Sequence, residues 1–154
     1  MSFQHFNHLH LDVVGGIAGD MFAAAILDLQ PELQAEVDSM LSATGLIDMV
    51  NIQRHDHSDG MLTGSRVSVV PVSAPAHHHR AWREIREMIA SMELADGARV
   101  CSIDIFSRLA EAEGRVHGKP TDEVSFHEVG AWDSIADIVV AGWLVDRLSP
   151  LTWS

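Results

Sequence analysis

Histidine is the feature of this chain that most suggests chemistry. The 154 residues include 10 histidines and 22 acidic side chains, beside a single cysteine. Imidazole and carboxylate donors without thiolates suit Ni(II), Zn(II) or Co(II). This set of donor types does not discriminate among the three ions. The sequence therefore predicts divalent-cation binding, and the candidate ligands are His77, His78, His79, His117, His127 and Glu128.

Each candidate ligand also has a structural explanation. The consecutive histidines at residues 77–79 could be a solvated loop as readily as a site in which at least one of them contacts metal, because adjacent side chains rarely all converge on one ion. His117 ends a predicted helix, where the helix dipole alone favours a protonated imidazole. His127 and Glu128 occupy a short predicted loop, and both a ligand pair and a hydrogen-bonded loop fit the sequence there.

A second candidate site is the glycine-rich turn Gly-Gly-Ile-Ala-Gly-Asp at residues 15–20. Backbone N–H groups of such a turn before a helix can bind an anion, and Gly16 and Gly19 are the candidate contacts. Asp12 and Asp20 flank the turn, and a carboxylate there could hold a cation bound to phosphate. The turn matches neither a P-loop nor a full dinucleotide-binding fingerprint, and a tight turn in which Asp20 caps the helix explains it equally well.

Hydrophobic periodicity predicts the elements that position the glycine turn. Apolar and polar residues alternate from residue 8 to residue 13, which predicts a half-buried strand with His8, His10 and Asp12 on one face. A helix follows the turn, and its predicted inward stripe is Met21, Phe22, Ala25, Ile26 and Leu29. A second helix opens near Pro31 and ends at Gly45.

The rest of the chain is predicted as two strands followed by helices. The strands contain Val50 and Ile52, and then Val67, Val69 and Val72, with a turn at Asp59-Gly60 and a strand end or sheet edge at Pro71. A helix begins near Trp82, and the next helix has the predicted inward face Ala98, Cys101, Ile105, Leu109, Ala112 and Val116. Gly118 ends that helix. A last helix begins with Ser134 and Asp137 at capping-box spacing. Asp133 and Asp137 are therefore predicted as helix caps in preference to metal ligands.

This order of elements predicts an α+β fold. A strand, two helices and two strands precede a helical C-terminal half, so we expect a small mixed or antiparallel sheet covered by helices. The length is that of one core, and residues 1–154 are therefore predicted to form a single domain.

Charge and composition exclude several classes of partner. A formal net charge of -12 repels nucleic-acid phosphates and anionic membranes. No apolar run approaches the length of a membrane span, and the first residues lack the pattern of a signal peptide. Cys101 is the single cysteine, so an internal disulfide cannot form. We therefore expect a cytoplasmic protein that binds neither nucleic acid nor membrane.

Several motifs, in order along residues 9–148, resemble those of the LarC family of nickel-insertion proteins. They are Leu11-Asp12, the stretch Gly16-Ile17-Ala18-Gly19-Asp20-Met21, Leu109-Ala110-Glu111-Ala112-Glu113 leading into Val116-His117-Gly118, and Phe126-His127-Glu128-Val129-Gly130-Ala131-Trp132-Asp133-Ser134-Ile135-Ala136-Asp137-Ile138-Val139. The chain departs from the family in having Val13-Val14 where most members read Cys-Phe, and in having only His77 to His79 where many members carry a longer histidine-rich insert. These departures are typical of a divergent branch, whose substrate need not be the same.

The resemblance implies a CTP-dependent cyclometallase of the lyase class. Such an enzyme inserts nickel into pyridinium-3,5-bisthiocarboxylic acid mononucleotide, making one Ni–C and two Ni–S bonds, and completes the nickel-pincer cofactor of lactate racemase. The implied cofactors are Ni(II), and Mg(II) or Mn(II) with CTP, and the implied recipient is apo lactate racemase or a related enzyme. Asp12 and Asp20 would orient a metal-bound phosphate or the precursor at Gly16 and Gly19. The nickel ligands would be His77, His78, His79, His117, His127 and Glu128.

Family members are considerably longer, so the resemblance covers their N-terminal part only. The C-terminal half, which is associated with CTP, would be a separate or missing polypeptide, and activity of this part alone stays open. A non-catalytic nickel store or metallochaperone module is the alternative function. A third alternative is a structural assembly domain whose histidines only cap and solvate. The sequence also leaves homo-oligomerisation open.

Overall fold

A computed structural model describes residues 7–73, 80–127, 129–149 and 152–154, and the following elements are those of the described residues. The helices are α1 (Gly19–Leu29), α2 (Leu33–Thr44), α3 (Trp82–Ser91), α4 (Asp96–His117) and α5 (Trp132–Leu148). The strands are β1 (His8–Leu9), β2 (Val50–Ser58), β3 (Thr63–Pro71), β4 (Arg80–Ala81), β5 (Ser125–Phe126) and β6 (Thr152–Trp153). The predicted α+β class with a helical C-terminal half is confirmed.

The strands form three separate ribbons where one small sheet was expected. β2 and β3 form an antiparallel hairpin whose register runs from Val50↔Pro71 to Ser58↔Thr63. β4 pairs antiparallel with β5, and β1 pairs parallel with β6. Pro71 is the last residue of β3, as predicted, since proline lacks the N–H that a longer ladder would use.

The predicted first strand, residues 8–13, is much shorter than expected. Only His8 and Leu9 have strand partners, namely Thr152 and Trp153. Alternation alone does not make a strand, because a strand needs a paired neighbour for its backbone groups. Beyond Leu9 the chain is mostly exposed as it approaches the glycine turn.

Glycines end α2 and α4 at the predicted positions. Gly45 has φ of 73° and Gly118 has φ of 64°, and both therefore adopt the left-handed conformation. Glycine adopts this conformation without steric cost, which is why it commonly follows the last helical residue.

The buried face of α4 differs from the predicted one. The buried residues are Ala98, Ser102, Phe106, Ala110 and Gly114, whereas Val116 is 78% exposed. Of the predicted stripe, only Ala98 lies fully inside. The reason is close packing against α5, where a Cβ at Gly142 would lie 3.0 Å from Ser102 N and 3.2 Å from Ala98 O. Small side chains on both helices permit this close approach. The size of the side chains, and not their hydrophobicity, therefore determined which residues of α4 pack against α5.

The inward face of α1 also differs in part from the prediction. Phe22 and Ile26 are buried as expected, but Met21 is 53% exposed and Leu29 is 48% exposed. α1 is apolar on most of its circumference, so periodicity could not identify the face that packs against β3 and α5. In the part of the chain that the structure describes, no helix is long and apolar enough to cross a membrane.

Candidate functional site

A cleft of about 920 Å³ lies between α1, β3 and the first turns of α5. Four carboxylates line it, and the only basic lining side chains among the described residues are Arg66 and His57. The cleft is therefore mainly acidic. The four carboxylates are those of Asp20, Asp28, Asp133 and Asp137.

Gly19 makes this cleft possible by its close contact with Asp137. A Cβ at Gly19 would lie 3.0 Å from Asp137 Cβ and 3.5 Å from Asp137 Cγ. A residue with a side chain would therefore push the start of α1 away from α5. Because Gly19 permits the contact, the neighbouring Asp20 lies at the same cleft as Asp133 and Asp137.

Asp20, Asp133 and Asp137 do not occupy the N-cap positions of their helices, contrary to the prediction for Asp133 and Asp137. Met21 N–H nevertheless donates to Asp20 Oδ1, and Ser134 N–H donates to Asp133 Oδ1, each at 2.8 Å. The N-cap residues of α1 and α5 are Ala18 and Ala131, and neither makes a side-chain cap bond. The predicted capping box at Ser134 and Asp137 is wrong, because α5 begins at Trp132 and both residues lie inside the helix. Side chains within the first turns project from the helix surface and are available to the cleft.

Asp137 is half-buried in the cleft, beside Asp20 and Asp133. Burial raises its pKa to about 6, and the nearby charges of Asp20 and Asp133 add to the increase. A raised pKa means that the ionised carboxylate is short of stabilising partners. A cation in the cleft would supply one, whereas a free anion at the N-terminus of α1 would meet the repulsion of these carboxylates.

The residues of the predicted glycine-turn site do not all lie together in the structure. Asp20 lines the cleft and Gly19 lies against Asp137, but neither Asp12 nor Gly16 is among the lining residues. Asp12 is exposed, and Gly16 has φ of 104°, a conformation that requires glycine. The turn is closed by Gly16 N–H donating to Val13 O at 3.0 Å.

The predicted nickel ligands that the structure describes are exposed. His117 lies at the end of α4 with its Nε2 3.2 Å from Glu113 Oε1, one helical turn earlier. His127 follows β5 and is exposed. Within residues 7–73, 80–127, 129–149 and 152–154, no three His, Cys, Asp or Glu side chains are grouped to hold a metal ion. The other predicted ligands, His77, His78, His79 and Glu128, lie outside the described residues.

The pairing of β4 with β5 joins two histidine-bearing parts of the sequence. Arg80, which follows His79 in the chain, is the register partner of Phe126, which precedes His127. Arg80 Nη1 donates to Gly130 O at 2.9 Å, and Arg80 Cζ lies 4.2 Å from the ring centroid of Trp132. The backbone beside His127 is thereby fixed against β4.

Two arrangements were missed or only partly foreseen from the sequence. Asp137 could have been noticed as a lone acidic residue between Ala136 and Ile138 in an apolar helix, a position that the predicted helix cap already explained.

His8 and His10 share one side of the chain, as predicted. His8 Nε2 lies 3.0 Å from Ser154 Oγ, and His10 Nδ1 lies 2.9 Å from the same atom. Their common partner is the C-terminal strand segment, which periodicity could not indicate.

Comparison with known proteins places the chain in a family. A model described as nickel insertion protein matches residues 9–153, which include β6 at the end of the described chain. A pyridinium-3,5-bisthiocarboxylic acid mononucleotide nickel insertion protein from Akkermansia muciniphila is 36% identical over 147 residues, covering 89% of this chain and 35% of the relative.

Proteins of the same name in two other bacteria are similarly related. The Nocardioides sp. protein is 37% identical, with 87% of this chain and 34% of the relative covered. The Alkaliphilus metalliredigens protein is 34% identical, with 92% and 37% covered. The chain thus spans only about a third of the length of the curated relatives it matches. No solved structure matches it. Because the family model covers most of its length, and in agreement with its motifs, the chain belongs to the nickel insertion protein family.

Proposed function

We propose that this chain is the part of a nickel insertion protein that receives Ni(II) and presents it to pyridinium-3,5-bisthiocarboxylic acid mononucleotide. One observation carries the proposal. Two of the segments that resemble the family, those containing Asp20 and Asp133, lie more than a hundred residues apart in the sequence, and both contribute carboxylates to one acidic cleft. A cleft formed by such segments is the natural place for the shared chemistry of the family.

The electrostatics of the cleft support a cationic cargo. Asp20, Asp133 and Asp137 bring three carboxylates together, and the net charge of -12 raises the local concentration of cations. These three are not grouped to chelate an ion by themselves. In the proposed reaction the substrate supplies the remaining ligands, since its two thiocarboxylate sulfurs and one ring carbon are the atoms that nickel binds.

The histidines have the proposed role of acquiring nickel before transfer. His117 and His127 are exposed, as ligands that capture an ion from solvent must be. Arg80 holds the backbone beside His127 through Gly130, so this loop has a defined position. We propose that these two histidines act together with His77, His78, His79 and Glu128.

The anionic parts of the reactants are proposed to bind through a second cation. Asp20 lies in the first turn of α1, where helix N–H groups attract phosphate but the neighbouring carboxylates repel it. Mg(II) or Mn(II) bound between Asp20 and a phosphate would offset the repulsion by the carboxylates and leave the attraction by the helix N–H groups. The phosphate would come from the precursor or from CTP. Asp12 and the glycine turn would orient the same phosphate.

The remainder of the activity is assigned to partners. CTP hydrolysis is proposed to need the longer polypeptide of the relatives, because the chain spans about a third of their length. The completed cofactor would pass to apo lactate racemase or a related enzyme. On this proposal the whole assembly is a nickel-inserting cyclometallase of the lyase class, and this chain alone binds without turnover.

A nickel store or metallochaperone is the second candidate. It is favoured by the exposure of His117 and His127 and by the lack of a three-ligand group among the described residues. Exposed, separate histidines are expected to bind several ions weakly. A store would need neither the cleft nor a nucleotide.

The experiment that separates these functions is a calorimetric Ni(II) titration of the tag-free chain near neutral pH. It is repeated with the pyridinium mononucleotide, and then with Mg(II) and CTP. We expect the mononucleotide to create one tight nickel site that is lost in Asp20→Asn, Asp137→Asn and His127→Ala. Matched controls are Asp48→Asn and His55→Ala, whose side chains are exposed and are not among those that line the cleft.

Each other outcome identifies a different function. Several weak sites that ignore both mononucleotide and nucleotide would establish the store. Weak nickel binding by the wild type, equal to that of every variant and control with and without the mononucleotide, would leave only a structural role.

A further inference from the structure

One edge of β3 has no strand partner among the described residues. At the turn of the hairpin Asp59 N–H donates to Leu62 O at 3.2 Å, and at the other end Val72 N–H donates to Met49 O at 2.9 Å. Hydrogen-bonded and non-hydrogen-bonded residue pairs alternate along two antiparallel strands. The backbone groups of residues 64, 66, 68 and 70 therefore face β2, while those of Ser65, Val67 and Val69 point away from it.

This free edge forms one wall of the acidic cleft. Six consecutive residues of β3, 64–69, line the cleft, which follows the strand over about 20 Å. The opposite wall is the face of α1 that carries Met21, Ala24 and Ala25. An open groove between a strand edge and a helix is the geometry in which an extended peptide adds as a further strand.

The free edge of β2 is protected in a way that the β3 edge is not. Proteins commonly protect exposed edges with charged side chains. On β2 the outward-facing positions include Arg54 and Asp56, whereas on β3 they are Ser65, Val67 and Val69. The outward-facing positions of β3 are thus uncharged, and Arg66, whose backbone groups face β2, is the one charged residue of this strand of nine. An edge of this kind pairs with another strand.

The charge of the groove selects the occupant. Asp20, Asp133 and Asp137 lie at its helical side, and Asp28 is already bonded to Ser65 Oγ at 2.5 Å and to Arg54 Nη2 at 3.2 Å. A second copy of this chain would bring an equal set of carboxylates and another charge of -12, so edge-to-edge pairing of two copies is opposed. A basic segment is complementary.

We infer that the groove between β3 and α1 docks an extended, positively charged segment of a partner polypeptide, which adds to β3 as a third strand. The backbone of the segment bonds to the outward groups of Ser65, Val67 and Val69. Alternate side chains of the segment lie toward the apolar face of α1, and its basic side chains lie near the carboxylates. The inference goes beyond nickel handling, and the test that follows contains no metal.

The test is amide hydrogen exchange, measured by NMR on the whole chain with and without a synthetic peptide. The probe is acetyl-Lys-Val-Lys-Thr-Lys-Val-Lys-amide, and its control is the same peptide with glutamate in place of lysine. In the free chain we expect the amides of Val67 and Val69 to exchange fast, while those of Arg66 and Ser68 are protected by the ladder with β2. The lysine peptide should slow exchange at Val67 and Val69 by about 10-fold or more.

Variants and a second strand edge supply the controls. Exchange at Ile52 and Arg54 on the outer edge of β2 should not respond to the peptide. The double variant Asp133→Asn/Asp137→Asn should weaken peptide binding by about 10-fold at low salt, and Asp104→Asn on the exposed surface of α4 should not.

Three results would overturn the inference. The first is unchanged exchange at Val67 and Val69 at saturating peptide, and the second is equal binding of the glutamate peptide or of the double variant. The third is protection of Val67 and Val69 that rises with protein concentration alone, since a second copy would then occupy the edge.

Discussion

Gly19, the first residue of α1, lies against Asp137 of α5 so closely that a Cβ on it would be 3.0 Å from Asp137 Cβ. This contact joins two segments separated by more than a hundred residues. It brings Asp20 to a cleft that already contains Asp133 and Asp137. Burial, together with the charges of Asp20 and Asp133, raises the pKa of Asp137.

Replacing Asp137 by asparagine should stabilise the protein above the pKa of this group. Burial, with the charges of Asp20 and Asp133, raises the folded-state pKa of Asp137 to about 6, above its ordinary value of 3.8. The folded state therefore binds the proton more tightly, and the stability this contributes is present below pH 3.8 and is lost as pH rises to about 6. After allowance for solvent screening of a half-buried group, we expect Asp137→Asn to gain about 1 kcal/mol at neutral pH.

Urea denaturation of both proteins at a series of pH values measures this difference. The gain should shrink between pH 6 and pH 3.8, where the wild-type carboxyl becomes protonated. A gain that is the same across this range would show that the charge of Asp137 is not its cause.

Gly19→Ala should separate α1 from α5. The added methyl group meets Asp137 Cβ at 3.0 Å, and that atom is fixed to a helix and cannot rotate away. The strain exceeds the gain in helix propensity, which is at most about 1 kcal/mol, so we expect a net loss of about 1 kcal/mol. Thermal unfolding measures it, with Gly64→Ala as the control because open space surrounds Gly64. Equal stability of Gly19→Ala and wild type would mean that the contact is looser than described.

Gly142→Ala tests the close packing of α4 and α5. The new methyl group would meet Ser102 Oγ first, and it would also lie 3.0 Å from Ser102 N and 3.2 Å from Ala98 O, which are backbone atoms. We expect a loss of about 2 kcal/mol in the free energy of unfolding. Adding Ser102→Ala should restore only part of the lost stability, because it removes the hydroxyl contact and leaves both backbone atoms in place. Full rescue by that second change would identify the hydroxyl contact as the sole cause.

Arg80→Lys should loosen the loop beside His127. Lysine cannot both donate to Gly130 O and lie flat on the Trp132 ring as the guanidinium does at 4.2 Å. We expect a loss of about 1–2 kcal/mol and a change in the NMR signals of His127 and Trp132. Arg83→Lys on the exposed side of α3 is the matched control. Unchanged His127 signals in Arg80→Lys would show that the loop is held by other contacts.

Local sequence signals predicted the elements that depend on local chemistry. Gly45 and Gly118 end helices, and Asp59-Gly60 joins two strands, because backbone conformation at these positions is set by residue type. The α+β class follows from the order of such elements. The family motifs likewise lie within short stretches of sequence, which is why the family could be identified from them.

The tertiary structure alone decided which faces meet. Hydrophobicity favoured Leu109 and Val116 for the inside of α4, but close packing against Gly142 selected Ser102 and the other small residues. Capping statistics explained Asp137 locally, yet its environment depends on Asp20, more than a hundred residues away. The sequence determined the helices, the turns and the ligand types, since these depend on neighbours along the chain. The cleft depended on the steric fit of residues that are far apart in the sequence, and on electrostatic interactions between their charges. The pattern of residue types along the chain contains neither.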